Sequence, residues 1–187
     1  MRYGAKLKRR GIADNSSDLL RRLLSHRRVD PAAAEADAYA LTGLLPPDLL
    51  ALPHAADLVV QHLREHRILV IGDFDADGAT SSALLVAGLR SMGGHHVDFL
   101  VPDRFRFGYG LTPEIVEEAQ RSSPDLIITV DNGIASLEGA ARAKELSIQL
   151  VVTDHHLAGE TLPDADAIVN PNQPGCPFAS KSMAGVG

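Results

Sequence analysis

From Ile68 onward the chain alternates short, largely apolar runs with longer segments in which apolar residues recur every three or four positions. The runs ILVI (68–71), VDFLV (97–101), LIITV (126–130), QLVVT (149–153) and AIV (167–169) predict β-strands. Between them, TSSALLVAGLRSM, TPEIVEEAQRS and SLEGAARAKEL have helical periodicity and a length suited to crossing over a sheet. This order predicts an α/β fold with a mainly parallel sheet flanked by helices. Gly78, Ala79 and Thr80 are expected to open the first crossover helix.

Upstream the pattern is helical throughout. NSSDLLRRLLSHRR offers capping residues ahead of a leucine stripe, and DPAAAEADAYALTG has Asp30 as a cap, Pro31 at the first helical position and Gly43 as a stop. LPHAADLVVQHLREHR predicts a third helix starting near Pro53. The Pro-rich junction around Leu45 to Pro53 is the expected seam, which gives an N-terminal helical extension over 1–52 and an α/β domain over 53–187.

Charge divides the chain along similar lines. Residues 1–28 carry nine Lys/Arg against Asp14 and Asp18, a balance of +7, while the whole chain of 187 residues is −6. A basic leader beside an acidic body suits a polyanionic partner held next to bound cations. No apolar run approaches the ~20 residues of a membrane span, and the single Cys176 has no intrachain partner, so the reading is a cytoplasmic protein. Eight aromatic residues and no Trp leave few rings for stacking bases. Phosphate-loop, dinucleotide and nucleophile-elbow motifs are absent, which argues against nucleoside triphosphate, dinucleotide and serine-hydrolase chemistry.

The candidate chemistry sits where the strands end. VIGDFDADG, ITVDNG and VVTDHH place Asp73, Asp75, Asp77, Asp131, Asp154, His155 and His156 at the carboxyl ends of three predicted strands, the edge where open parallel sheets bind ligands. Gathering carboxylates there is costly unless a cation neutralises them, and oxygen ligands with one or two imidazoles suit Mn²⁺ or Mg²⁺. Taken singly, DFDADG fits an acidic turn and DNG an ordinary turn. Arg104, Arg106 and Tyr109, in PDRFRFGYGL, and Thr80 are candidates for contacting phosphate or sugar, although a Gly-rich connector and a helix start would look the same. His95 and His96 precede a strand and are expected at the opposite edge.

VIGDFDADGATSSALL, VPDRFRFGYGLTPEIV, LIITVDNGIAS, VVTDHHLAGETLPDADAIVNPN and KSMAGVG together resemble the DHH phosphoesterase superfamily, and within it the bacterial exonucleases specific for single-stranded DNA. The resemblance implies a DHH domain over 53–187 and a two-ion site for Mn²⁺ or Mg²⁺. The implied activity is removal of nucleotides from single-stranded DNA in the 5′ to 3′ direction, in repair and recombination. Helicases or single-strand-binding proteins are the implied partners. Carried over by position, Asp75, Asp77, Asp131 and His155 are metal ligands, Asp73 and Asp154 are ligands or close supports, and His156 contacts the scissile phosphate. Asp131 is expected to lie between the ions. Ile71 stands where many family members have a His, which implies a thinner ligand set for one ion. A further Asp ligand, a substrate-binding DHHA1 domain and an oligonucleotide-binding module are expected beyond Gly187, so the sequence reads as the N-terminal part of a longer enzyme. Other branches of the superfamily act on short oligonucleotides, cyclic dinucleotides or pyrophosphate, and a non-catalytic replication scaffold uses the same fold.

Overall fold

The computed structural model describes residues 48–187. The helices expected at 15–28 and 30–43, and the basic leader, lie outside the described residues. The elements run α1 (Leu52–His62), β1 (Ile68–Gly72), α2 (Ala76–Ser91), β2 (Val97–Leu100), α3 (Arg104–Phe107), α4 (Pro113–Gln120), β3 (Leu126–Val130), α5 (Leu137–Glu145), β4 (Gln149–Thr153) and β5 (Ala167–Val169). All strand pairs are parallel, in the order β2-β1-β3-β4-β5.

Strand residues point alternately to the two faces, and the apolar runs feed both. Ile68 and Val70 of β1, with Leu126, Ile128 and Val130 of β3, pack under Ala55 and Leu58 of α1 and Val86 and Leu89 of α2. Leu69, Ile71, Ile127, Leu150 and Val152 face the other way, against Ile115, Val116 and Ala119 of α4 and Ala140 and Ala143 of α5. Continuous apolar runs follow from burial on both sides. Leu49 and Leu52, ahead of the predicted boundary at 53, also rest on the first of these cores. Ile71 is 1% exposed and belongs to the second, so this position serves packing.

Two local features depart from expectation. α2 starts at Ala76, not at Gly78–Thr80, because Asp75 is its N-cap: the Asp75 carboxylate accepts from Gly78 N at 3.0 Å. Gly78 is needed for close approach, since a Cβ there would come within 2.4 Å of the Asp73 carbonyl oxygen. The connector after β2 also folds into a helical turn, α3, in which Asp103 accepts from Phe105 N through its carboxylate and from Arg106 N and Phe107 N through its carbonyl.

Sheet order and register position the site. Connections leave β1 for β2 on one side and return to β3 on the other, so the chain reverses between β1 and β3, where such sheets open a crevice at the strand ends. Gly72 pairs with Val130, Val130 with Thr153 and Thr153 with Val169. The next residue of each strand is therefore Asp73, Asp131, Asp154 and Asn170, a polar row across the sheet.

Candidate metal centre

Asp131 lies inside this row, between Asp73 and Asp154. It adopts φ 61°, in the left-handed region, which Asp and Asn tolerate better than most residues. The following Asn132 donates from Nδ2 to Ile71 O (3.1 Å) and Val130 O (2.9 Å), tying the ends of β1 and β3 together. Asp131 is 2% exposed, and its buried Oδ1 meets His155 Nε2 at 3.0 Å but takes no hydrogen bond from other protein groups.

Asp131 belongs to two sets of potential ligands. Asp73, Asp75 and Asp131 each offer an oxygen, and Asp131, His155 and His156 each offer an oxygen or ring nitrogen, with the atoms of each set within 4.8 Å of one another. At that separation and an effective dielectric near 20, two carboxylates repel by about 3 kcal/mol. The consequence appears at Asp131, whose carboxyl is raised to about 6 by burial and by the charges of Asp77 and Asp75, against the opposing pull of His155 and His156. Asp75 moves the other way: the amide of Gly78 holds its carboxyl below the usual value. An oxygen-rich set with an under-bonded buried carboxylate at its centre fits a divalent cation.

Asp77 lies in the first turn of α2, and its carboxylate accepts from Gly185 N and Val186 N, both at 2.8 Å. His155 Nε2 is 3.5 Å from its Oδ2. Gly185 is required there because a Cβ would approach Asp131 Oδ1 to 2.9 Å.

Asp154 has a different position from the other acids. Its side chain is 1% exposed and its oxygens are committed to the protein, accepting from His155 N (2.7 Å), His156 N (3.1 Å) and Ile134 N (2.9 Å). The same carboxylate holds His156 Nδ1 at 2.7 Å. Burial works against the imidazolium of His156, but the bond to Asp154 and its charge, with Asp131 and Asp73 behind it, raise its pKa on balance. The hydroxyl of Tyr109 is 3.3 Å from His156 Nε2, and burial and the surrounding carboxylates raise the phenol.

The remaining candidates are peripheral to these sets. Thr80 is exposed and donates to Ala76 O (2.7 Å) and Asp77 O (3.0 Å). Arg106 is exposed, its guanidinium 4.8 Å from the Phe107 ring, and the side chain of Arg104 lies outside the described residues. His95 and His96 line a pocket with Arg67 and Ser122, which flank the opposite strand ends. Sequence reasoning assigned no role to Asn132, Asn170 or Asn172. Asn170 donates to His156 O at 3.0 Å and Asn172 to His155 O, so the VNPN segment clamps the paired histidines.

Residues 67–187 match the family model described as the DHH family, N-terminal domain. Curated relatives include the single-stranded-DNA-specific exonuclease RecJ of Salmonella typhimurium, 49% identical over 96% of this chain and 32% of its own length. That of Escherichia coli is 47% identical over 100% of this chain and 33% of its own length. The chain thus spans about a third of these relatives. Among solved structures, an exonuclease RecJ bound to manganese superposes with a TM-score of 0.67 at 38% identity, over 74% of this chain and 35% of that one.

Proposed function

Since the chain belongs to the DHH family, we propose that it carries the metal-binding core of a 5′ to 3′ exonuclease that hydrolyses single-stranded DNA, in repair and recombination, in the cytoplasm. The observation that carries this reading is Asp131: a buried carboxylate, under-bonded and common to two ligand sets at the crevice between β1 and β3. The exonuclease names of the relatives and the manganese in the related structure support both substrate and ion.

Asp73 and Asp75 would hold one Mn²⁺ or Mg²⁺ and His155, with Asp77 beside it, the other, Asp131 being shared. When bound, the ions supply Lewis acidity that activates water and neutralises charge on the phosphate. Asp154 is a positioning residue that fixes the His156 ring by its Nδ1 and favours the protonated form. His156 is thereby suited to contact the scissile phosphate and to donate a proton to the departing oxygen. Tyr109 limits the directions open to that ring. The basic residues 1–28 would contact the strand's phosphates, and the catalytic domain, expected at 53–187, would also take in Leu49 and Leu52, which rest on its core. A helicase or single-strand-binding protein would present the DNA.

Calorimetric titration with Mn²⁺ and a cleavage time course on a long 5′-ended single strand test this reading in the whole protein. Asp131→Asn should weaken Mn²⁺ binding ~100-fold or more and stop nucleotide release. Near-normal turnover by that variant would overturn the assignment. Preference for dinucleotides or cyclic dinucleotides over long strands would move the protein to another branch of the family, and absence of Mn²⁺ binding by the wild type would favour a scaffold.

A further inference from the structure

A cleft of about 480 Å³ shares Tyr109, Asp154 and His156 with the metal centre. This volume is within the usual range for small-molecule sites, roughly 300–1,000 Å³. Its other walls are mainly apolar: Leu111, Pro113, Ile134, Leu137 and Leu157. Within the described residues Leu137 is 42% and Leu157 81% exposed, next to the proposed chemistry.

The walls are fixed to one another. Leu111 N donates to Ser136 Oγ at 2.9 Å, and at Gly139 a Cβ would overlap the Leu111 carbonyl oxygen. The segment after α3 and the first turn of α5 are therefore in direct contact, which gives the cleft a defined floor. Its charge is equally selective: Glu114 and Glu138 line it, with no Lys or Arg among its described lining residues. A phosphate is repelled there, whereas a sugar or base is not, and a base amine can donate to a carboxylate.

We propose that this cleft is a nucleoside subsite, in which the sugar and base of one nucleotide flanking the scissile phosphate lie while Leu137 and Leu157 cover the base. The proposal rests on the phosphodiesterase reading above and adds to it a recognition element for the base itself. Charge sorts the substrate: the phosphate goes to the metal centre and the apolar base to the cleft, with His156 at the junction. Base contact here is apolar, so it discriminates a base from its absence more than one base from another.

The test uses the whole protein with Mn²⁺ and single strands that carry either normal nucleotides or one abasic residue at successive positions from the cleaved end. Wild type should lose about tenfold in kcat/KM when the abasic residue occupies the subsite. The double variant Leu137→Ser, Leu157→Ser should bring that ratio to within about twofold, while Leu84→Ser, an exposed change on α2 outside the site, should keep it. A 2-aminopurine placed at the same position should change its emission on binding to wild type and not on binding to the double variant, which reads occupancy independently of turnover. Equal cleavage of intact and abasic strands by wild type, with Mn²⁺-dependent hydrolysis intact, overturns the subsite and leaves the nuclease reading standing. Absence of Mn²⁺-dependent hydrolysis of both DNA and bis(p-nitrophenyl) phosphate removes both.

Discussion

Asp131 carries an energetic conflict that predicts its behaviour without metal. Its native carboxyl keeps a proton up to about 6, against 3.8 for the free group. Between these pH values the native state binds more protons than the unfolded state, so the metal-free protein loses stability from this group as pH rises through the window. Above about 6 the full cost of a buried carboxylate that His155 and His156 only partly offset is present. Asp131→Asn removes that charge and keeps a residue that tolerates φ 61°. It should therefore stabilise the metal-free protein at pH 7.5, by an amount on the order of 1–3 kcal/mol, and the gain should shrink as pH falls through about 6 towards 3.8. Thermal unfolding of both proteins in chelator across that range checks the sign; a destabilising effect at pH 7.5 would contradict it. Asp154 shows what residue types alone leave open. Its identity and place after a strand suit a ligand as well as a support, and the Ile134 amide that engages it is 20 residues away in sequence.

At the level of elements, Asp75 has two separable tasks. It caps α2 through Gly78 N and offers an oxygen to the Asp73 and Asp131 set. Asn at a helix N-cap accepts the same hydrogen bond, whereas Ala does not. Asp75→Asn should then weaken Mn²⁺ binding at little cost in stability, and Asp75→Ala should weaken binding similarly while losing a further 0.5–2 kcal/mol or so. Denaturant unfolding paired with Mn²⁺ titration separates the two tasks, and equal stability of the two variants would deny the capping role. The central strands were legible because they are buried apolar runs: LIITV and QLVVT occupy the positions predicted for them, whereas the edge strand β2, with Asp98 and Phe99 exposed, ends at Leu100, one residue short of the predicted run. The start of α2 was read two residues late, at Gly78–Thr80, because Asp75 suits a ligand as well as the N-cap it proves to be, and Gly78 instead lets the first turn meet Asp73. The clamp from Asn170 and Asn172 was equally hidden, since it depends on contacts 14 and 17 residues distant.

Across the described domain, the proposed ligands come from the loops after β1, β3 and β4, which pair side by side in one sheet. The sheet is held by its two apolar faces, each fully buried Ile, Leu or Val contributing about 1.5–3 kcal/mol. Metal binding to the native state alone should raise stability by mass action, about 2.7 kcal/mol at 100 times its Kd. For a domain of this size that corresponds to a shift of about 5–10 °C in Tm. The two effects at Asp131 then cross: without metal the Asn variant should melt above wild type, and in saturating Mn²⁺ wild type should melt above the variant. EDTA should restore the first order. Parallel shifts of both proteins with Mn²⁺ would mean that the ion binds elsewhere, because a cation held by Asp131 relieves the same buried charge that the substitution removes.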